Sequence, residues 1–496
     1  ADNHGVFVAV STITGTGSGT VTITGTGGGK SGAGTNNDGV NVSGGSTVKS
    51  ASGTLTLIGT AGLNGSSEGI AVQANAGTTN TLGDASSQIG GITLRANSMY
   101  FNPTNTNLVL GTGTLALEPL TANTPIGLGT GSGTLSLGAD LFSGSTRVFS
   151  DGFSGITIGS SNSGAIAVGG ATTFTDNVTL LTGSNITLNS GSTITNSQNN
   201  GYTALAATGN FINNAGASAL STTGTGSRWL VYSNAPGTDT FGSLNSANGA
   251  VWNATYASMP PTSVTATGNR YLFTGTPSVT VTASATKTYG TTLTASDVLG
   301  LTSSSGSSPV YTLPTLADVF SVNPTVSSLG LVATASVSGG PYAITVAPGT
   351  STGSYTITYA TPGTITVTPK ALTVSGSIAA NKTYDGTTSA VLTGGTLVGV
   401  ANNEALTLVQ AGTFASANVG TGLAITATDS ITGATVANYT LTQPTGLSAN
   451  IIKKALTITA NNDARFAGQT DTAGYYGVSY VGFASGESSS NLSTLP

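Results

Sequence analysis

A five-residue pattern recurs in the first 200 residues and constrains the fold more than any other feature of the chain. Glycine is followed by threonine, an apolar residue, a small residue and a second apolar residue, with copies that start at Gly19, Gly53, Gly113 and Gly133. In an extended chain successive side chains point to opposite faces, so the two apolar residues face one side together. Each copy therefore predicts one half-buried β-strand.

The spacing of these strands predicts how they stack. The copies at 53, 113 and 133 are separated by multiples of roughly 20 residues, a period typical of solenoids. Further alternating segments follow at 156–158, 165–168, 178–180, 186–188 and 194–195, with Gly, Asn and Ser between them. This pattern predicts a right-handed parallel β-helix, with about a dozen coils of roughly 20 residues stacked about 4.8 Å apart. A β-sandwich remains the alternative, because it shows the same alternation.

Composition excludes several classes of protein. Of 496 residues, 72 are Gly, 89 Thr and 60 Ser, while 38% are hydrophobic and only 6% charged. Apolar content with little charge is not typical of a disordered chain. A net charge of -5 without clustered Lys or Arg excludes a nucleic-acid partner. The absence of Cys excludes disulfides and thiolate sites. The sequence contains no run of about 18 apolar residues, so it predicts no membrane span.

Aromatic residues are concentrated after the predicted β-helix. Ten of the 30 aromatic residues lie between Tyr202 and Tyr289, including both tryptophans, Trp229 and Trp252. We therefore assign residues 1–200 to the β-helix and 201–276 to an aromatic-rich cap or junction that closes its last coil. A binding site for an aromatic ligand is the alternative interpretation of the cluster.

A longer repeat fills the rest of the chain. Its three copies, which we call the first, second and third modules, span 277–370, 371–453 and 454–496, and the aromatic landmarks Tyr289, Tyr384 and Phe466 mark equivalent positions. The separation of these landmarks, roughly 80 to 95 residues, suits small β-rich modules, sandwich or grasp-like, in tandem. The predicted fold class is therefore all-β. The third module is short, and an incomplete module leaves a sheet edge that a strand from a neighbouring chain can complete.

Several segments resemble known bacterial exoproteins. Residues 381–388 (Asn-Lys-Thr-Tyr-Asp-Gly-Thr-Thr) resemble the YDG module, 286–290 with 342–345 resemble the MBG module, and 227–233, 250–252 and 268–273 are similar to the segment that precedes such modules in filamentous-haemagglutinin-like proteins. The resemblance implies a secreted or cell-surface bacterial adhesin exported by two-partner secretion. It assigns no binding residue. The secretion domain of such proteins is not evident in residues 1–110, so we expect a processed or excised piece that begins downstream of it.

Candidate catalytic residues are few and scattered. His4 is the single histidine and lies near the terminus, where a Ser-His-Asp triad would have an unreliable base. The acid pairs Asp463 with Asp471 and Asp140 with Asp151 are formal candidates for glycoside hydrolysis, although isolated acids usually solubilise a surface. A polysaccharide lyase would need acids beside the basic residues of the β-helix region, which are Lys30, Lys49, Arg95, Arg147 and Arg228. We predict no catalytic, cofactor-binding or metal-binding residue, and the binding residues stay unknown.

Other motifs have structural interpretations that we favour. Residues 34–39 offer oxygen ligands for calcium but are more typical of a single Asn/Asp turn, and 15–19 lack the Lys and helix of a phosphate-binding loop. Rows of Thr suit ice binding but also have high strand propensity. Tyr289 and Tyr384 are either surface anchors for a ligand or, as we predict, core residues of their own modules, with Gly290 and Gly386 in the turns.

These observations favour a non-enzymatic protein. We expect a secreted, extracellular adhesin or structural fibre of a bacterial surface or biofilm matrix, with no cofactor. Its expected partners are host-cell, glycan or matrix surfaces and further copies of itself, joined head to tail by strand complementation. The alternatives are an ice- or glycan-surface-binding protein that uses Thr-rich faces and, less favoured, a polysaccharide lyase.

Overall fold

The protein forms two compact units. The computed structural model describes residues 2–29, 36–63, 66–86, 90–103, 106–145, 147–303, 310–360, 363–462, 466–470 and 477–495. The solenoid unit comprises Ala1–Thr280, Leu301–Asn323 and Thr350–Thr358, and the module unit comprises Val281–Gly300, Pro324–Gly349 and Tyr359–Pro496. Residues 277–370, which the sequence assigns to the first module, are therefore divided between the two units. In the described ranges no helix has the length and apolar character needed to cross a bilayer.

The strands β1 to β25 lie in the solenoid unit. Their bounds are β1 Val6–Ala9, β2 Thr12–Gly15, β3 Val21–Thr26, β4 Val40–Ser43, β5 Thr47–Ser50, β6 Leu55–Thr60, β7 Ile70–Gln73, β8 Thr79–Gly83, β9 Ile92–Ala96, β10 Met99–Phe101, β11 Thr106–Leu110, β12 Thr114–Glu118, β13 Ile126–Gly129, β14 Leu135–Leu137, β15 Gly155–Ser160, β16 Ile166–Gly169, β17 Ala171–Phe174, β18 Val178–Thr182, β19 Ile186–Leu188, β20 Thr193–Asn196, β21 Tyr202–Ala207, β22 Phe211–Asn213, β23 Leu220–Thr222, β24 Arg228–Ser233 and β25 Arg270–Phe273.

Short strands and two single-turn helices make up the rest. They are β26 Ser278–Ala283, β27 Ala285–Thr288, α1 Ala295–Val298, β28 Leu299–Ser303, α2 Leu316–Val319, β29 Phe320–Val322, β30 Thr325–Ser327, β31 Tyr342–Ala343, β32 Thr345–Ala347, β33 Thr350–Ser351, β34 Thr356–Tyr359, β35 Thr364–Thr368, β36 Lys370–Ser375, β37 Ile378–Ala379, β38 Lys382–Thr383, β39 Ser389–Ala390, β40 Leu392–Thr393, β41 Thr396–Val398, β42 Thr407–Val409, β43 Gly412–Phe414, β44 Gly420–Ala427, β45 Ser430–Thr432, β46 Tyr439–Thr442, β47 Ser448–Ile452, β48 Thr457–Ala460 and β49 Val478–Val481.

The solenoid unit is a parallel β-helix with three strands in most coils. A nine-stranded sheet runs β3-β6-β9-β12-β15-β18-β21-β24-β25, and β1-β4-β7-β10 and β2-β5-β8-β11 form two further faces. Later coils replace these two faces with the sheets β14-β13-β16-β19-β22 and β17-β20-β23. The strands pair in parallel, for example β3 with β6 and β6 with β9. Parallel stacking distinguishes this unit from an antiparallel β-sandwich.

The coils are longer than the sequence period predicts. Val21, Leu55, Ile92 and Leu115 occupy one column on successive coils, so the steps are unequal and each exceeds the predicted period. Three strands and three corners need more chain than the sequence period suggested. The copy of the motif at Gly133 forms β14, which pairs with β13 in a different sheet from the copy at Gly113, so these two copies are not equivalent coils.

A ladder of aliphatic side chains fills the β-helix. The inward column of the nine-stranded sheet is Ile23, Leu57, Leu94, Leu117, Ile158, Leu180, Leu205, Val231 and Tyr271, and all are buried. Close stacking of the coils also requires glycine at some positions, of which Gly59 in β6 is one. A Cβ on Gly59 would lie 1.8 Å from the carbonyl oxygen of Gly69, so no other residue fits there.

The β-helix continues beyond the predicted boundary at residue 200. Strands β21, β24 and β25 extend the nine-stranded sheet as far as Phe273. In the last coils aromatic side chains take the place of aliphatic ones in the core. Trp229 and Tyr271 pack edge to face there, with ring centroids 5.1 Å apart. Residues 310–312 cover this end, where Ser246 N donates to Val310 O (2.8 Å) and Thr312 N donates to Asn248 O (3.1 Å).

The module unit holds small mixed sheets. In the second module β36 pairs in parallel with β46 and antiparallel with β41, and a five-stranded sheet runs β38-β47-β44-β43-β39. The third module contains the antiparallel pair β48 and β49. Both strands lie in the segment that was predicted to be incomplete.

Truncation of the ladder tests the packing. Leu57 is 0% exposed between Ile23 and Leu94, so we expect Leu57→Ala to lower the free energy of unfolding of the solenoid unit by about 2–5 kcal/mol. Both tryptophans lie in this unit, so denaturant titration followed by tryptophan fluorescence reports on it alone. Thr56→Ala, on the outward face of the same strand, is the control and is expected to change stability by less than about 0.5 kcal/mol. Equal effects of the two substitutions would contradict the assigned faces.

Candidate functional site

A polar pocket opens beside the last coil of the solenoid unit. It encloses about 210 Å³, and we call it the tip pocket. Its lining consists of Gly249, Ala250, Trp252, Arg270, Pro277, Tyr311, Thr312, Leu313, Pro314, Asp318 and Tyr355. Residues far apart in sequence meet here because the chain returns to the end of the β-helix after residue 301 and again after residue 350.

Aromatic rings form one wall of the tip pocket. Trp252 packs on Phe273 with ring centroids 4.9 Å apart, and Tyr311 lies 6.3 Å from Trp252. The backbone fixes this wall, because Val251 N donates to Tyr271 O and Phe273 N donates to Val251 O, both at 2.9 Å. The rings are therefore held by the last strand of the nine-stranded sheet. A preformed aromatic wall binds flat or ring-shaped ligands with little loss of entropy.

Polar groups of both kinds border the same pocket. Arg270 donates from Nη1 to Gly249 O (2.8 Å) and from Nε to Thr267 O (3.0 Å), while its Nη2 has no hydrogen bond within the described residues. Asp318 Oδ2 accepts hydrogen bonds from Thr315 N (2.8 Å) and Thr315 Oγ1 (2.7 Å) at the start of α2. Burial, with a smaller contribution from the charge of Asp318, raises the pKa of Tyr355. The pocket thus combines a cationic donor, a carboxylate and neutral phenol groups.

A second cavity in the solenoid unit has an apolar lining. It encloses about 310 Å³ and is bordered by Leu181, Ala206, Tyr232 and Tyr256. Threonine hydroxyls at its border are already used by the protein, since Thr182 Oγ1 donates to Gly164 O (2.5 Å), Thr208 Oγ1 to Thr182 O (3.1 Å) and Thr274 Oγ1 to Asn234 O (2.9 Å). This cavity offers few hydrogen bonds, so it suits a polar ligand less well than the tip pocket does.

His4 lies beside the carboxylate of Asp38, but the two are not part of a catalytic triad within the described residues. His4 Nδ1 accepts a hydrogen bond from Asp38 N (3.2 Å), and Asp38 Oδ2 lies 3.4 Å away. Asp38 is buried and also accepts from Asn41 Nδ2 (2.7 Å) and Glu68 N (2.9 Å), which uses both carboxylate oxygens. No serine hydroxyl is among the hydrogen-bond partners of His4 in the part of the chain that is described. Of the candidate calcium turn at 34–39, residues 36–39 are described, and the hydrogen bonds of Asp38 join it to His4 and Glu68 of the neighbouring coils.

Of the candidate acids Asp140 and Asp151, Asp151 lies beside a further acid, Asp176. Asp176 occupies an ordinary turn, and no motif in the sequence marks it. Asp176 is buried and accepts a hydrogen bond from Gly152 N (3.1 Å). Burial, and to a lesser extent the neighbouring charge of Asp151, raise the pKa of Asp176 to about 6. Among the described residues no three His, Cys, Asp or Glu side chains converge as metal ligands.

Most of the described basic residues of the β-helix form ion pairs or hydrogen bonds within it. Lys49 pairs with Asp84 (2.8 Å), and Arg95 pairs with Glu118 of the next coil (2.5 Å). Arg228 donates to the carbonyl oxygens of Pro261 and Val264, both at 2.9 Å. Lys30, Asp463 and Asp471 lie outside the described residues. Arg147 is described but is not among the residues that line either cavity.

Two neighbouring outward columns of the nine-stranded sheet differ in how far threonine continues. Thr22, Thr56 and Thr93 stack on successive coils, and Ala116 follows them. The neighbouring outward column reads Thr24, Ile58, Arg95 and Glu118. On these coils threonine therefore continues further in the first column than in the second.

Asparagine in place of Asp176 tests the raised pKa. Because the folded-state pKa lies above the ordinary value of 3.8, this group contributes its full stability below pH 4 and loses it as the pH rises through about 6. We expect Asp176→Asn to match the wild type at pH 4 and to exceed its unfolding free energy by about 1–2 kcal/mol at pH 8. Tryptophan-monitored unfolding measures the difference. Asp239, whose pKa burial also raises to about 6, is present in both proteins and cancels from it. A difference that does not change with pH would contradict the assignment.

Comparison with known proteins identifies one module. The family model of the YDG domain matches residues 368–446, which contain β36 to β46. No curated protein and no solved structure matches the chain. The second module is therefore a YDG module, set in a chain whose larger part is a parallel β-helix.

Proposed function

We propose that the protein is a non-enzymatic, extracellular adhesin of a bacterial surface or biofilm matrix and that it binds glycans in the tip pocket. The observation that carries the proposal is the combination, in one open pocket, of an aromatic wall, the Arg270 guanidinium and the Asp318 carboxylate. Sugar hydroxyls donate and accept hydrogen bonds, so they pair with both groups, while the apolar face of a pyranose ring packs on Trp252 or Tyr355.

The surrounding architecture supports adhesion over catalysis. A stacked β-helix keeps the pocket on a rigid support, and the wall residues gain order from the strands that hold them. A chain with only 6% charged residues can approach other surfaces with little electrostatic repulsion. Many copies on one cell would raise the avidity of a weak glycan site.

The resemblances extend this proposal to the mode of export. The YDG match supports a binding module, and the segment at 286–290 with 342–345 suggests that an MBG module precedes it. Both, with the aromatic segments near Trp229 and Trp252, suit a filamentous-haemagglutinin-like exoprotein exported by two-partner secretion. We infer that the tip pocket works outside the cell.

Loss of an aromatic residue that lines the tip pocket tests glycan binding. Tyr355 is half-buried in the tip pocket, so Tyr355→Ala is expected to weaken binding on a glycan array at least tenfold, which is about 1.4 kcal/mol. Tyr359→Ala removes a more exposed tyrosine that does not line the pocket, and its affinity should match the wild type. The proposal is wrong if the wild type binds no glycan or if the two variants bind alike.

A second candidate role, a self-assembling fibre, has support from β48. Every residue of β48 is exposed, and within the described residues it pairs only with β49. Asn461 N donates to Gly477 O (2.8 Å), so the alternation of an antiparallel pair directs the N–H of Ile458 away from β49. This free edge can accept a strand from a second copy, and such a head-to-tail contact repeats into a filament.

Proline at the free edge tests assembly. Ile458→Pro removes the outward N–H but leaves the bonds between β48 and β49, so we expect it to abolish fibres in electron micrographs and to leave monomers in light scattering. Ile458→Ala keeps the N–H and removes the exposed side chain, and it should still assemble. A wild-type protein that stays monomeric at high concentration would refute the fibre role.

A further inference from the structure

Two tyrosines of the module repeat contact the module that follows their own. Tyr289 belongs to the Lys-Thr-Tyr-Gly motif of the first module, and Tyr384 belongs to the Lys-Thr-Tyr-Asp-Gly motif of the second. Each hydroxyl group donates a hydrogen bond to a glutamate of the next module, Tyr289 to Glu404 and Tyr384 to Glu487. The prediction that each tyrosine closes the core of its own module is therefore incomplete, because the polar end of each side chain serves a different module.

The first contact is partly buried and involves several side chains. Tyr289 is 2% exposed, donates to Glu404 Oε1, and packs edge to face on Tyr439 of the second module at 5.4 Å. The other oxygen, Glu404 Oε2, accepts from Thr435 Oγ1 (2.6 Å) and Tyr439 Oη (2.8 Å). One carboxylate thus collects three hydroxyl donors, and two of them come from its own module.

Protonation states agree with this arrangement. Burial raises the pKa of Glu404, but hydrogen bonds from Thr435, Tyr289, Tyr439 and Asn402 outweigh that effect and lower it. Burial and then the bond to Glu404 raise the pKa of Tyr289. A neutral tyrosine therefore donates to an ionised carboxylate at neutral pH, which is the stronger, charge-assisted kind of hydrogen bond.

The second contact repeats the geometry of the first. Tyr384 Oη donates to Glu487 Oε1 at 2.5 Å. Glu404 and Glu487 end equivalent four-residue turns of the form Ala-x-x-Glu, in which the glutamate N–H donates to the alanine carbonyl oxygen at 3.1 and 3.0 Å. The alanines Ala401 and Ala484 are both buried.

The motif glycine faces the same alanine in each case. A Cβ on Gly290 would lie 2.6 Å from Ala401 Cβ, and a Cβ on Gly386 would lie 3.8 Å from Ala484 Cβ. Both glycines have positive φ, 88° and 78°. The glycine therefore makes the turn, and at the first junction it also leaves room for the neighbouring module.

The motif lysines behave differently and stay within their modules. Lys287 Nζ donates to Thr291 O (2.8 Å) and to Val332 O, and Lys382 Nζ donates to Asp385 Oδ1 (2.8 Å) and Thr387 O (2.6 Å). The lysine therefore stabilises the turn within its own module, whereas the tyrosine and the glycine contact the next module. This division of roles appears in both copies.

We propose that the Lys-Thr-Tyr-Gly and Lys-Thr-Tyr-Asp-Gly turns are docking elements whose partner is the Ala-x-x-Glu turn of the following module. Tyrosine supplies the hydrogen bond to glutamate, and glycine lies against alanine. Spacings of 115 residues from Tyr289 to Glu404 and 103 from Tyr384 to Glu487 let the same rule be read from sequence. This inference is independent of glycan binding and of fibre formation.

Hydrogen–deuterium exchange of the full chain tests the coupling across the first junction. We expect Tyr289→Phe to speed amide exchange around Ala401–Glu404, in the second module, on the order of tenfold, because a charge-assisted bond is lost. Tyr342→Phe is the matched control. Its hydroxyl donates to Ser336 O (2.8 Å) within the first module, so its loss should speed exchange there and leave the second module unchanged.

A double variant and the second junction complete the test. The effect of Tyr289→Phe on residues 401–404 should vanish in a Glu404→Ala background, because the acceptor is then already absent. Tyr384 is more exposed than Tyr289, so Tyr384→Phe is expected to leave the fold intact. This substitution should likewise speed exchange around Ala484–Glu487. The inference is overturned if Tyr289→Phe and Tyr342→Phe affect the second module equally, or if Tyr289→Phe acts there with the same size in both backgrounds.

Discussion

The stacking of one coil on the next is the interaction on which the solenoid unit depends. Backbone groups of each strand bond to the coils before and after it, and inward side chains such as Leu57 and Leu94 stack in register. A coil therefore has no stable core of its own and gains one only from its neighbours. The ladder must also end, and Tyr271 and Phe273 end it with rings instead of aliphatic groups. The tip pocket is built on that ending, because its aromatic wall packs against those rings.

The alternation in the sequence was sufficient to predict strands and their inward faces. Val21 and Ile23, or Leu115 and Leu117, face inward as expected, and the strands pair in parallel. Coil length and sheet membership were not predictable, because corners carry no periodic signal. Leu135 and Leu137 show why, since their pattern matches that of Leu115 and Leu117 but their strand pairs with β13 in another sheet. Strand pairing is a long-range property that a local pattern does not contain.

The tip pocket and the contacts between modules were predictable only in part. The density of aromatic residues drew attention to Trp252, but Tyr311 and Tyr355 join it from a segment that the sequence assigned to the first module. The motif around Tyr289 was visible as a repeat, whereas its partner Glu404 looked like one of 17 scattered acids. In both cases the missing information was which distant residues meet. Asp176 was not predictable for a related reason. Burial raises its pKa, and the burial of a turn residue cannot be inferred from the local sequence.

The coils of the β-helix differ in length, but the register of the nine-stranded sheet stays constant. The column that includes Leu115, Ile156 and Val178 advances by a long step and then by a much shorter one, without any change of register. The longer step contains β14, whose Leu135 and Leu137 are buried, so the additional chain forms a strand of its own. The nine-stranded sheet keeps its register across that coil. A coil can therefore grow by a whole strand while its pairing with the next coil stays the same, so coil length can change in evolution separately from this sheet.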